Sequence, residues 1–208
     1  MKPEIRRYRP SDLKAVYQVA LATGEAGQDA TALYRDPRLV GHIYAAPYAV
    51  LEPESAFVVE DATGVAGYIL GAADTRAFDA RLEAEWWPKL RPHYRDPTGS
   101  PHEGWNHGQR MSYLIHHPGH APSRVVGAFP AHLHINLLPR LQGQGLGAAM
   151  IDRWFAAMRD KGASGAHLGV GVANQRAIRF YRRYGLDELR PSGTPPGQVL
   201  WFARHLAP

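Results

Sequence analysis

Gln142-Gly143-Gln144-Gly145-Leu146-Gly147 sets glycines at alternate positions, directly after an apolar run and at the mouth of a periodic helix pattern. Main-chain N–H groups with no Cβ atoms around them can converge on an anion, and a helix N-terminus adds partial positive charge. A pyrophosphate suits such a turn. The segment also satisfies the dinucleotide variant G-x-G-x-x-A at Gly143, Gly145 and Ala148, but it comes late in the chain, and no acid stands about 20 residues further on. A P-loop requires G-K-[ST], whereas this turn ends Gly147-Ala148-Ala149. A second constellation follows: Asn174 and Tyr181 are spaced so that on a helix an amide and a phenol lie within about 20° of each other.

Other chemistries lack their residues. With no cysteine there is no thiolate nucleophile, no disulfide framework and no Cys-ligated metal. Gly162-Ala163-Ser164-Gly165-Ala166 lacks the last glycine of a serine nucleophile elbow. His102-Glu103-Gly104-Trp105-Asn106-His107 is one residue too long for H-E-x-x-H, and His116-His117-Pro118-Gly119-His120 has no acid beside it in sequence. No metal site is expected, and these imidazoles read as solvent-exposed.

The elements that must carry these groups follow from periodicity. Residues 132–138 read as a strand closed by Pro139. A helix follows from about 145 to 161, on Leu146, Met150, Trp154 and Met158, with Gly162 after its end. An apolar strand at 166–172, a helix at 174–184 stopped by Gly185 and a last strand at 199–203 complete this half. Upstream, Ser11 is a candidate cap for a helix carrying Leu13, Val16, Tyr17, Ala20 and Leu21, stopped by Gly24, and 36–40 reads as a short helical stretch. Runs at 56–60 and 65–70 flank a turn at 61–64 and predict a hairpin. Residues 74–130 read as an insertion over the sheet, with helices at 77–90 and 109–116. The pattern is an α/β, α+β layered fold, with the strands either side of the long helix parallel.

The chain of 208 residues, 45% hydrophobic and 21% charged, suits one domain over 1–208. No signal peptide or apolar 18-residue stretch is present, so a cytoplasmic protein without a membrane partner is expected. Its +5 charge is scattered. The densest cluster, Arg176, Arg179, Arg182 and Arg183, adjoins the phosphate-like turn, so a small polyanion is a better expected partner than nucleic acid.

Taken together, Gln142 to Gly147, with Pro139 upstream, and Asn174 to Leu186, read as N-x-x-A-x-x-F-Y-x-x-x-G with Leu in place of the final Phe, resemble the GCN5-related N-acetyltransferase (GNAT) superfamily. The likeness covers residues 137–186. Thr23-Gly24-Glu25-Ala26-Gly27-Gln28-Asp29-Ala30-Thr31 and Trp86-Trp87-Pro88 further resemble bacterial relatives of the acetyltransferase-like C-terminal domain of O-GlcNAcase. The resemblance implies a mixed central sheet splayed between its fourth and fifth strands, helices on both faces, and here a helical insertion between strands 3 and 4.

The resemblance also implies a reaction: direct attack of an amine on the thioester of acetyl-CoA, with no metal. Leu137 and Leu138 would meet the pantetheine, and a main-chain amide of one of them would polarise the thioester carbonyl. Gln142, Gly143, Gln144, Gly145, Leu146 and Gly147 would hold the pyrophosphate, and Asn174 the pantetheine arm. Tyr181 matches the family's acid for the leaving thiolate, although a packed helix tyrosine remains the alternative. For the base, His134 has a suitable unperturbed pKa of about 6.5. His132 shares its face, and water relays to Glu25 or Asp29 compete. Tyr34, Tyr44, Tyr48, Trp86, Trp87 and Trp105 are candidate pocket walls, with Asp29 and Trp105 as guessed substrate contacts. The expected acceptor is an amine-bearing small molecule, peptide or protein, and the chain a monomer or homodimer. A catalytically weak or inactive acyl-CoA-binding sensor is the alternative.

Overall fold

The computed structural model describes residues 2–189 and 199–206. Its strands are β1 (Glu4–Arg7), β2 (Phe57–Asp61), β3 (Gly64–Ala72), β4 (Ala131–Leu137), β5 (Gly165–Gly171), β6 (Asp187–Leu189) and β7 (Val199–His205). They form one mixed sheet in the order β1-β2-β3-β4-β5-β7-β6. Adjacent strands are antiparallel except β4 and β5. A parallel pair needs a crossover, and the long helix between the two strands supplies it.

The helices are α1 (Leu13–Ala22), α2 (Leu39–Tyr44), α3 (Ala46–Leu51), α4 (Thr75–Arg81), α5 (Trp87–Leu90), α6 (His107–His116), α7 (Ser123–Ala128), α8 (Leu146–Asp160) and α9 (Gln175–Tyr184). The alternation of the central strands feeds two cores. Val58, Tyr68 and Leu70 join side chains from α1 to α6 in one core, while Phe57, Val59, Ile69 and Leu133 join α8 and α9 in the other. Of the predicted stripe of α8, Met150, Trp154 and Met158 are at 0% exposure and Leu146 is partly buried. The indole N–H of Trp154 donates to the carbonyl of Ser55 at 3.0 Å, so burying this large ring leaves no donor unmet.

The insertion lies between β3 and β4 and is helical, as expected, but its first helix is not continuous. A π-turn at Leu82–Trp86 separates α4 from α5, just ahead of Pro88, whose ring nitrogen cannot donate to the helical ladder. The N-terminal cap also differs from expectation. Pro10–Asp12 forms a 3₁₀ turn and α1 begins after Asp12, not Ser11. The Asp12 carboxylate is held by the Arg6 guanidinium at 2.7 and 2.8 Å and by the Arg9 N–H at 2.7 Å. The sequence reading missed β1, α3, α7 and β6. Each has seven residues or fewer, too few for periodicity to stand out.

Candidate active site

β4 and β5 pair only at Ala131↔Ala166 and His132↔His167, yet β4 runs on to Leu137 and β5 to Gly171. Beyond those two pairs the strands part, and a cleft of about 660 Å³ opens. Its walls include Ile135 and Asn136 of β4, Leu168 to Gly171 of β5, Asn174 and Tyr181 of α9, and Tyr44, Tyr48, Asp79 and Trp87 from the opposite face. On its other edge β4 is paired with β3, where the N–H of Leu138 donates to the carbonyl of Ala66 at 2.8 Å. Strand alternation therefore turns the N–H of Ile135 and Leu137 toward the gap. Of the two amides expected near the thioester, that of Leu138 is engaged by β3. That of Leu137 faces the opening.

The glycine turn follows β4 directly. The short helix Pro139–Leu141 is tied down by an Arg140–Asp61 ion pair at 2.7 Å, and the Gln142 side-chain amide donates to the Leu137 carbonyl at 2.6 Å. The Gln144 side-chain amide donates to the Arg140 carbonyl at 2.8 Å. Gly143 and Gly145 have φ of +75° and +76°, and a Cβ on either would meet no atom within 4 Å. The space above this turn is open, as a cradle for a diphosphate requires. Leu146 opens α8. Gly147 serves packing: a Cβ there would lie 3.1 Å from the Phe180 ring, so its bareness lets α9 approach α8. The residues present fit a CoA thioester.

Tyr181 and Asn174 both face the cleft, as their spacing on α9 predicted. Tyr181 is 7% exposed and packs against Phe180 and Phe202. Its hydroxyl has no hydrogen-bond partner among the described residues. Because no buried side-chain N or O there is unpartnered, this oxygen opens into the cleft. Burial pushes its pKa up, so the phenol stays protonated at neutral pH. Asn174 also has a structural duty, accepting from the Ala177 N–H at 3.0 Å as the cap of α9.

His134 and His132 project from the same face of β4, and both bond the Tyr48 hydroxyl, at 3.2 and 2.9 Å. Both line the cleft. The unperturbed pKa expected for His134 does not hold: burial, with His167 nearby, lowers it to about 4. His132 is also held well below the ordinary imidazole value, by burial and by its two histidine neighbours. Both are therefore neutral bases at physiological pH.

The guessed substrate contacts lie elsewhere. Asp29 accepts from the Thr31 N–H and hydroxyl at 2.8 and 2.6 Å in a surface turn. The Trp105 indole N–H donates to the Ser100 side chain at 3.0 Å, and its ring packs on Tyr113. Neither residue lines the cleft, and neither do Glu25, Tyr34 or Trp86. Tyr44, Tyr48 and Trp87 do. What sequence reasoning missed is the acidic wall, Asp79 and Glu83 on the insertion, which no motif marks.

Among the described residues no three His, Asp or Glu side chains are placed to hold an ion. His117 and His120 do have acids, Asp96 at 2.8 Å and Asp79 at 2.9 Å, which come from distant sequence and so escaped a local search.

A mixed sheet parted beside its parallel pair, followed by a glycine turn that opens the long helix, is the frame of this site. Comparison with known proteins gives the family: the model of the Acetyltransferase (GNAT) family matches residues 27–186, and the chain belongs to it. It is 23% identical to Protein O-GlcNAcase of Rattus norvegicus over 203 residues, 97% of this chain and 22% of that protein. The chain thus spans about a fifth of that relative's length. Among solved structures it is similar to SsHAT, with 38% identity, full coverage of both chains and a TM-score of 0.88. The yncA protein of Salmonella typhimurium, solved with acetyl-CoA, shares the fold at 15% identity and a TM-score of 0.55, over 100% of this chain and 96% of that one.

Proposed function

We propose that the protein is an acetyl-CoA-dependent N-acetyltransferase acting on an amine by direct attack within a ternary complex. The observation that carries this is the gap where the β4–β5 ladder stops after two pairs, with Tyr181 and His134 on its walls. In this reading Leu137, Leu138 and Asn174 hold the pantetheine, and Gln142 to Gly147 hold the diphosphate. The acceptor attacks as its neutral amine, and His134 takes the proton that the nitrogen sheds as it bonds to carbon. The new N–C bond forms as the C–S bond breaks. Tyr181 protonates the departing sulfur, recovers its proton from solvent, and His134 returns its own.

The polarity of the acceptor end supports an amine. Among the described residues the cleft lining includes Asp79 and Glu83 and no lysine or arginine, although the chain carries a net +5. We take the acceptor to be a small molecule, peptide or protein amine rather than nucleic acid, and the protein to work in the cytoplasm as a monomer or homodimer. No described helix is long and apolar enough to cross a membrane.

Calorimetric titration with acetyl-CoA, followed by mass spectrometry of an amine panel, tests the reading. Binding and acetylated product are expected. Binding without product from any amine would leave the inactive sensor module, and no binding would end both.

A further inference from the structure

The polar side chains at the base of the cleft form a hydrogen-bond chain whose direction can be deduced. Thr75 Oγ1 has one proton and two neighbours within reach, the Pro130 carbonyl at 2.7 Å and His132 Nδ1 at 2.8 Å. A carbonyl can only accept, so Thr75 donates to Pro130 and accepts from His132 Nδ1–H. Neutral imidazole carries a single N–H, which leaves His132 Nε2 as a lone pair. Tyr48 then donates its only proton to that nitrogen at 2.9 Å. The Tyr48 oxygen, 3.2 Å from His134 Nε2, accepts from it.

His134 is therefore the Nε2–H tautomer, and the bare nitrogen is Nδ1. No described residue bonds Nδ1. Since no buried side-chain nitrogen among the described residues is unpartnered, it is open to the cleft that the ring lines. Neighbouring imidazoles on one strand face hold opposite tautomers.

We infer that Tyr48, His132 and Thr75 are positioning residues, which hold His134 with Nδ1 unprotonated and open to the cleft as the acceptor of the amine proton. This rests on the acyl-transfer reading above. The chain is a clamp rather than a wire, because it ends on the Pro130 carbonyl, which has no proton to pass on. On taking the amine proton, His134 carries N–H on both nitrogens, keeps its bond to Tyr48, and releases the proton back through the cleft.

The arrangement is rigid where it has to be. Tyr48 is 6% exposed, stacks on Phe78 at 4.5 Å, and its phenol is kept protonated by burial and by the nearby Asp79 charge. Among the described residues, the titratable groups that face His134 are Tyr44 of α2, Tyr48 of α3, His132 of β4 and His167 of β5, with Asp79 of α4 beyond them. None is a cation at neutral pH.

Nitrogen-15 NMR of the histidine-labelled full-length protein reads the tautomers directly, with a His134→Gln variant assigning the signals. The expected spectrum has His134 protonated at Nε2 and His132 at Nδ1. Tyr48→Phe keeps the ring stacking but removes the oxygen. It should let His134 exchange between tautomers and lower kcat by about tenfold, less than the roughly 10²-fold of losing the base itself, with the acetyl-CoA KM within about twofold. Thr75→Val should scramble His132 and reproduce the kcat loss in weaker form, which covers the case of an unstable Tyr48→Phe protein. Wild-type His134 protonated at Nδ1, or a Tyr48→Phe protein with unchanged tautomer and kcat, would overturn the inference. The spectra need no turnover, so failure to bind acetyl-CoA counts against the acyl-transfer reading, and the tautomers still decide the order of the chain.

Discussion

Two side chains at the cleft have their protonation set by the same force. Burial keeps the Tyr181 proton on and the His134 proton off. Replacing Tyr181 by Phe removes the acid without emptying the site. We expect kcat to fall on the order of 10²-fold, with acetyl-CoA affinity measured by calorimetry within about twofold of wild type. The pH profile should follow from His134. Lowered to about 4, it stays neutral across the physiological range. The acid limb of kcat/KM should therefore track deprotonation of the acceptor amine, with no inflection near about 6.5 where a free imidazole titrates. An inflection there that disappears in His134→Gln would contradict this assignment. At this scale the sequence was informative where one helix carries the groups. Asn174 and Tyr181 needed only the helical repeat to be set side by side. Tyr48, Asp79 and His134 meet across elements far apart in the chain, and no spacing rule joins them.

At the level of elements, the glycine turn and the helix behind it bear most of the inferred ligand contact. Gly145 precedes α8 with φ of +76°. Gly145→Ala should cost about 1–2 kcal/mol of stability, since a side chain disfavours that backbone, and should weaken acetyl-CoA binding severalfold by filling the cradle. Denaturant titration and calorimetry separate the two effects. Strand, turn and helix were legible here because each has its own signal: an apolar run, alternate glycines and a 3.6-residue stripe. The insertion was legible only in outline. Its helices are short, one is interrupted ahead of Pro88, and α7 has six residues, so tertiary packing decides what local pattern does not. Trp154 belongs to the best-predicted helix and is wholly buried. Trp154→Ala should lower stability by about 3–5 kcal/mol in chemical denaturation, through the cavity and the unmet Ser55 carbonyl.

For the molecule as a whole, the buried histidines tie folding to pH. An unfolded imidazole takes up a proton near pH 6.5, whereas folded His134 resists until about 4, and His132 and His167 are lowered as well. Between those limits the unfolded chain binds more protons, so stability should decline as pH falls from about 6.5 toward 4. His134 alone accounts for on the order of 2–3 kcal/mol of that loss. A second decline should follow at lower pH. Asp36, despite burial, is brought to about 2 by Arg38 and Tyr94, so its stabilisation is lost as pH falls from about 4 toward 2. Thermal melts across this range check both, and His134→Gln should flatten the first.

The brief register between β4 and β5 has a mechanical consequence. Two rungs of backbone pairing join the first four strands to the last three, so the sheet is a book with a short spine. A coenzyme seated between the pages would act as the missing binding. Saturation at 100 times its Kd would then raise the unfolding free energy by about 2.7 kcal/mol. Amide exchange should slow first at the glycine turn and on the facing margins of β4 and β5, before the insertion responds.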